Sequence, residues 1–258
     1  AYAGRNLVRV PLVQREERWQ WDYGALEAAT GPRTRLLMLC SPHNPVGRVF
    51  RREELERLVA WCARHDVVLC SDEIHCDLIL DKNRAHIPTA TISSAARDLT
   101  ITLLAPSKTF NIPGLGCALA VIPSADLRRR FRRAMAGIVP SVNLLGFTAA
   151  EAAYRNGWNW HAAMIDYLRA NRNRVLAAVK AMPGLASGPI EATYLAWIDA
   201  RATGIDKPTA FFETAGVGLS DGAEFGSPGF VRLNFGCSRV LLDTALERMA
   251  AALEGHTG

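Results

Sequence analysis

The first half of the chain alternates short apolar runs with amphipathic stretches. The segment RREELERLVAWCARH (51–65) places Leu55, Leu58, Val59 and Cys62 on one face of a predicted helix. Apolar runs lie on either side of it and continue along the chain: RLLMLC (35–40), VVLCSDE (67–73), LTITLLA (99–105) and LGCALAVIP (115–123). Near-continuous apolar strands separated by helices are typical of parallel sheets. The pattern therefore predicts an α/β fold with a mostly parallel sheet and helices on both faces.

The second half of the chain has a different pattern. Residues 141–182 read as two helices that are broken near RNGW (155–158). The elements that follow are a strand (193–199), a helix near 207–215, a strand (230–236) and a terminal helix from about Leu241. We therefore predict two domains, a large one over residues 1–158 and a smaller C-terminal α/β domain over residues 159–258.

Composition narrows the class of protein. Hydrophobic residues make up 49% of the 258 residues and charged residues 21%, which is typical of a globular protein. No apolar run approaches the length of a membrane span, and the first residues lack the core of a signal peptide. The six cysteines show no C-x-x-C pair, as expected of reduced packing cysteines. We predict a cytoplasmic protein without a membrane partner.

Positive charge concentrates in LRRRFRRAM (127–135), within a net charge of +5. A basic run with an aromatic residue could contact nucleic acid. However, Leu127, Phe131 and Met135 follow one another at every fourth position, which favours an amphipathic helix with a solvated arginine face. We therefore predict no nucleic-acid partner.

Polar side chains follow the predicted strands at their carboxyl ends, where ligands bind in open α/β sheets. Asn44 follows the first strand, Asp72 ends the second with His75 shortly after it, and Ser107 and Lys108 follow the third. A lysine in apolar surroundings can act as a nucleophile. A buried carboxylate needs a cationic or hydrogen-bonding partner. A lysine paired with such a carboxylate is the combination that holds pyridoxal 5′-phosphate (PLP), through its aldehyde and its pyridine nitrogen.

A zinc site is the other chemistry that this region suggests. Cys70, His75 and Cys76 are metal-ligand types close together in sequence. They lack a second ligand cluster elsewhere in the chain, so we predict no metal.

Four motifs in order resemble a known family. NPVG, SDEIH, SKTFNIPGLG and FVRLNFGCSR resemble the class I/II aminotransferase superfamily of PLP enzymes (fold type I), and in detail its cystathionine β-lyase and C–S lyase branch. The resemblance implies a PLP-binding large domain, a smaller C-terminal domain, an amino-acid substrate and a homodimer. It also implies site roles: Lys108 bonds to the cofactor aldehyde as the catalytic residue, Asp72 binds the pyridine nitrogen, Asn44 and His75 lie at the phenolic oxygen, Ser107 helps hold the phosphate, and Arg232 binds the substrate α-carboxylate.

The chain departs from the family pattern in two places. Gly116 stands where many aminotransferases of the superfamily have a phosphate-binding arginine, which the lyase branch tends to lack. Family members also have a longer N-terminal portion that completes the phosphate site, and we expect a large domain that is truncated at its N-terminus, either as a fragment or as a short homologue. Of these two departures, the glycine at position 116 favours elimination over transamination.

These observations together predict a PLP-dependent carbon–sulfur β-lyase, similar to cystathionine β-lyase, that eliminates a thiol from a cysteine conjugate and yields pyruvate and ammonia. Two alternatives stay open. One is a PLP-dependent aminotransferase, which shares the steps up to removal of the α-proton. The other is a truncated, non-catalytic remnant of the family.

Overall fold

The computed structural model describes residues 4–256, and its strands form one hairpin and two four-stranded sheets. The strands are β1 (Val13–Arg15), β2 (Arg18–Gln20), β3 (Leu36–Cys40), β4 (Val68–Asp72), β5 (Thr100–Leu104), β6 (Leu119–Val121), β7 (Ala186–Ser187), β8 (Leu195–Asp199), β9 (Ser220–Asp221) and β10 (Phe230–Asn234).

Helices connect these strands and cover them. They are α1 (Tyr23–Ala28), α2 (Arg52–Arg64), α3 (Ser94–Leu99), α4 (Pro106–Thr109), α5 (Ala125–Met135), α6 (Leu144–Asn156), α7 (Trp158–Ala181), α8 (Pro208–Thr214) and α9 (Arg239–His256). The predicted break between two helices is confirmed, because α6 ends at Asn156 and α7 begins at Trp158. The hairpin β1–β2 and the short helices α1, α3 and α4 were not predicted.

The first sheet has the strand order β3-β4-β5-β6. Strands β3, β4 and β5 are parallel, as predicted, and Cys40, Asp72 and Leu103 lie side by side at their carboxyl ends. Strand β6, however, pairs antiparallel with β5, so the sheet is mixed. The reason lies in the connection: α4 has only four residues and cannot carry the chain back along the sheet, so the chain turns and runs in the opposite direction.

Helices pack on both faces of this sheet, but they cover the second face only in part. On one face, Leu58 of α2 packs in a core cluster with Leu39 and Leu69 of the strands. On the other face, Leu127 of α5 packs in a cluster with Ile101 of β5. At β3 this second face is open, and Met38 is 68% exposed. The prediction of helices on both faces is therefore confirmed at β5, whereas at β3 the described residues cover only one face.

The arginine-rich segment forms the amphipathic helix that its spacing predicts. Leu127 is buried in α5, Phe131 and Met135 are half-buried, and Arg129 and Arg133 are exposed. Its apolar stripe supplies the contact with the first sheet that is described above, and the arginine face remains in solvent.

The second sheet is antiparallel throughout, with the strand order β7-β8-β10-β9. Helices α7 and α9 supply Val175 and Met249 to a core cluster that also contains Ile198 of β8. Leu78 and Leu80, which follow β4, belong to the same cluster. The first half of the chain thus contributes to the second core, and the domain division at residue 158 stays a prediction.

Hydrogen bonds between a loop after β3 and the segment before β8 join the two halves of the chain. The carbonyl oxygen of Gly47 accepts hydrogen bonds from the backbone amides of Glu191 and Ala192, both at 2.8 Å. Gly47 has a φ of +66°, and a Cβ there would lie 2.9 Å from the carbonyl oxygen of Ala192, so a side chain is excluded. The Glu191 carboxylate accepts from Arg18 at 2.5 Å and from Arg84 at 3.1 Å.

In the part of the chain that the structure describes, no helix combines the length and apolarity that crossing a membrane requires. Cys70, His75 and Cys76 form no metal-binding group, and residues 4–256 contain no cluster of three or more His, Cys, Asp or Glu side chains that could hold a metal ion. All six cysteines are unpaired.

Candidate active site

The candidate site lies at the carboxyl ends of β4 and β5. Asp72 is the last residue of β4, and Lys108 lies in α4, directly after β5. Pro106 begins α4, where its fixed φ favours a helical turn and its missing N–H costs no hydrogen bond. The Thr109 hydroxyl donates to the Asp77 carboxylate at 3.1 Å and so ties this turn to the segment after β4. The two strand ends therefore hold Lys108 close to Asp72.

The electrostatics of Asp72 follow from its partial burial. Burial raises the pKa of the Asp72 carboxyl above its usual range, while a hydrogen bond from the Ile74 amide and the positive charge of Lys108 oppose that rise. The Ile74 amide nitrogen lies 3.3 Å from the carboxylate. The Lys108 amine forms no hydrogen bond within residues 4–256, so both charged groups keep bonding capacity for a ligand.

His75 lies beside this pair and is only 3% exposed. Burial, with a smaller contribution from the positive charges of Lys108 and Arg232, lowers the pKa of its imidazole to about 4. Its Nδ1 atom is buried without a hydrogen-bond partner in the described part of the chain. The Tyr194 ring meets the imidazole edge-on, with 6.3 Å between the ring centroids. His75 is therefore neutral near pH 7, and its buried Nδ1 atom is unsatisfied within residues 4–256.

Arg232 reaches the site from β10 and contacts Asn44. Its Nη1 donates to Asn44 Oδ1 at 2.9 Å, and its Nη2 donates to Ser220 Oγ at 3.0 Å. Each terminal nitrogen of a guanidinium carries two N–H groups, so each keeps one for a further acceptor. Because Asn44 Oδ1 accepts from Arg232, the Asn44 side chain has its Nδ2 donors left for a ligand.

The family resemblance relates two positions to phosphate binding, Ser107 and Gly116, and both lie on the turns after β5. Ser107 precedes Lys108, is half-buried, and accepts a hydrogen bond from the Ile112 amide through its carbonyl oxygen at 3.2 Å. Its hydroxyl forms no hydrogen bond within the described residues. Gly116 is exposed and has a φ of +59° at the end of a 3-10 turn, a conformation that disfavours the arginine of other family members.

The structure thus brings Asn44, Asp72, His75, Lys108 and Arg232 together, with Ser107 on the adjoining turn. It also adds contacts that sequence reasoning missed, from Tyr194, Ser220 and Phe225. The Phe225 ring lies against the Arg232 guanidinium, whose central carbon is 4.8 Å from the ring centroid. The loop SDGAEFGSPG carries no motif for such a role, and the pairing of β9 with β10 was the missing information.

The chain matches the family "Aminotransferase class I and II" over residues 1–249. The chain belongs to this family, and the resemblance that its four motifs indicate is confirmed.

Comparison with individual relatives indicates which branch of the family the chain resembles. The chain is 36% identical to cystathionine β-lyase PatB of Bacillus subtilis (strain 168), over 97% of this chain and 66% of PatB. The crystal structure of OvoB superposes with a TM-score of 0.95 at 48% identity, covering 98% of this chain and 66% of OvoB. Cystalysin from Treponema denticola, whose structure contains pyridoxal 5′-phosphate, superposes with a TM-score of 0.92 at 33% identity, covering 97% of this chain and 66% of that one. The chain therefore spans about two thirds of the length of the proteins it matches.

Proposed function

We propose that this protein is a PLP-dependent carbon–sulfur β-lyase that eliminates a thiol from a cysteine conjugate. The observation that carries the proposal is the convergence of Lys108 and Asp72 at neighbouring strand ends, opposite the Arg232–Asn44 pair. Similarity to cystathionine β-lyase PatB supports the reaction class, and similarity to PLP-containing cystalysin supports the cofactor.

The polar groups of the site fit PLP. The partly buried Asp72 carboxylate suits a protonated pyridine nitrogen, which would offset the cost of its burial. The Lys108 amine suits the aldehyde. The Asn44 Nδ2 group suits the phenolic oxygen, and the neutral imidazole of His75 lies in the same site. Ser107 offers a hydroxyl to the phosphate. These assignments agree with the roles that the family resemblance implies.

Bound PLP supplies an electron sink that makes the α-proton of an attached amino acid acidic. Arg232 binds the substrate carboxylate with its two remaining N–H groups and orients the Cα–H bond. The Lys108 amine, free once the substrate amine has displaced it from the aldehyde, would take the proton from Cα as the general base. Asp72 keeps the proton on the pyridine nitrogen, because its carboxylate stabilises the positive charge there. The thiolate would then leave from Cβ and take up the proton held by Lys108, and water would release the remaining fragment as pyruvate and ammonia.

A transaminase shares these steps up to the removal of the α-proton, and the family name favours this second candidate. The two differ in what they need and release. A lyase releases pyruvate and a thiol from cystathionine without any keto-acid acceptor, whereas a transaminase needs the acceptor and releases no thiol. The expected lyase result is pyruvate and thiol in equal amounts with no acceptor added. Turnover that depends on added keto acid would identify a transaminase instead. A homodimer remains a prediction.

The cofactor assignment is tested by borohydride reduction of the PLP-loaded protein, followed by peptide mapping. We expect the reduced adduct on Lys108 and none on the three other lysines, Lys82, Lys180 and Lys207. The matched control is Lys108→Ala, in which the adduct should be lost while the fold, followed by circular dichroism, is kept. An adduct on another lysine in the native protein would refute the assignment of Lys108.

A further inference from the structure

The guanidinium of Arg232 is held on two sides by residues of one short segment, 220–225. Ser220 of β9 lies directly opposite Arg232 in the antiparallel pairing with β10. Its hydroxyl accepts a hydrogen bond from Nη2 of Arg232 at 3.0 Å. The Phe225 ring covers the guanidinium at 4.8 Å. The register of β9 on β10 therefore brings both contacts to the same arginine.

The turn that carries Phe225 is fixed by its own contacts. Asp221 caps it, because its carboxylate accepts from the Ala223 amide at 2.9 Å. Gly222 is buried so tightly that a Cβ there would lie 2.3 Å from the carbonyl oxygen of Ser227. The Phe225 ring also meets the Trp197 ring edge-on, with 5.6 Å between the centroids. Phe225 therefore offers Arg232 a fixed surface rather than a mobile one.

These contacts matter because an arginine binds a carboxylate through two parallel hydrogen bonds in one plane. A free arginine side chain loses rotamer freedom when it adopts that geometry, and the loss weakens binding. Ser220 fixes the rotation of the guanidinium about its stem, and Phe225 fixes the tilt of its plane through a cation–π contact. The remaining N–H groups then point to one place before the ligand arrives.

We propose that Ser220 and Phe225 are positioning residues that orient Arg232 to bind the α-carboxylate of an amino-acid substrate, and that they set the preference for substrates with a free carboxylate. This proposal rests on the proposed function, in which Arg232 is the carboxylate-binding residue. Neither residue belongs to the roles that the family resemblance implies.

The test compares steady-state kinetics of the PLP-loaded protein and its variants on cystathionine. Ser220→Ala should raise KM about tenfold and leave kcat within about twofold, because the Arg232 guanidinium loses one of the two side-chain acceptors that orient it before the substrate binds. Ser220→Thr keeps the hydroxyl, so its KM should stay close to that of the native protein. Phe225→Leu keeps an apolar side chain but loses the aromatic face, and should raise KM about threefold. Each variant is checked for retained cofactor absorbance.

A second measurement separates orientation of the arginine from a merely structural role. The native protein should prefer the free acid over the α-carboxamide of the same substrate, and Ser220→Ala should reduce that ratio in kcat/KM about tenfold. Ser220→Asp should reduce it further, because the new carboxylate pairs with Arg232 and competes with the substrate.

The two proposals fail in different ways. If Arg232→Ala leaves KM and the acid preference unchanged, the proposed role of Arg232 is wrong and the present proposal falls with it. If Arg232→Ala abolishes the preference while Ser220→Ala and Phe225→Leu keep native KM and native preference, only the positioning role is refuted. A loss confined to kcat in these two variants would also overturn it.

Discussion

Acidification should destabilise this protein through His75, and the size of the effect follows from its surroundings. The imidazole is buried and faces two cations, Lys108 and Arg232, and its pKa is lowered from 6.5 to about 4. In the unfolded chain the same group takes up a proton at its ordinary pKa. Between these two pKa values the unfolded state binds the proton and the native state does not, so stability falls as the pH falls.

The magnitude comes from the two pKa values. A shift from 6.5 to about 4 corresponds to a total of about 3 kcal/mol, at about 1.4 kcal/mol per pH unit. Integrated from about pH 7 down to about pH 5, the loss is about 2 kcal/mol in the free energy of unfolding. The contribution is fully present above the unfolded pKa of 6.5 and is lost as the pH approaches about 4.

The assay is urea unfolding of the cofactor-free protein at about pH 7 and about pH 5, for the native chain and for His75→Gln. Glutamine cannot take up the proton, so the variant should lose about 2 kcal/mol less than the native protein between the two pH values. The control is Thr100→Val, which changes no titrating group and should follow the native pH dependence. Equal losses in the native protein and in His75→Gln would refute the account of His75.

Three further predictions concern other sites. Arg232→Lys should reduce kcat/KM for cystathionine at least a hundredfold with cofactor absorbance retained, because an ammonium cannot form the planar two-bond fork; loss of PLP with normal analogue binding would refute this role. Thr100→Val should raise the free energy of unfolding by about 1 kcal/mol, because the Thr100 hydroxyl is buried without a hydrogen-bond partner among the described residues; a lower urea midpoint would contradict it. Glu191→Gln should lower that free energy by about 2–3 kcal/mol, because Arg18 and Arg84 lose a buried carboxylate; an unchanged midpoint would show that the pairing contributes nothing.

Local sequence pattern predicted the elements of this fold well where each element depends on its own residues. The apolar face of α2, with Leu58 and Cys62, is buried as its spacing indicates. The helix break falls at Gly157, where glycine weakens helix continuation. Asp72 and Lys108 were recognised as neighbours because carboxyl ends of parallel strands share one edge of a sheet.

The features that sequence did not predict depend on pairing between distant segments. The direction of β6 follows from a short connection rather than from its apolar residues, which fit either direction. Ser220 and Phe225 contact Arg232 only because β9 pairs with β10 in one register. A shift of one residue in that register would turn Ser220 to the opposite face of the sheet. The loop SDGAEFGSPG contains no sequence pattern that indicates the register of β9 on β10.

The hydrogen bond between Arg232 and Asn44 joins residues that are 188 positions apart. A ribosome therefore completes Asn44, Asp72 and Lys108 long before it adds Arg232, the arginine proposed to bind the substrate carboxylate. Contacts of such long sequence separation form late, because closing a long loop costs entropy before the contact is made. The order of synthesis thus separates the proposed cofactor-binding residues from the proposed substrate-binding arginine in time. The residues proposed to bind the cofactor therefore precede the arginine proposed to bind the substrate carboxylate.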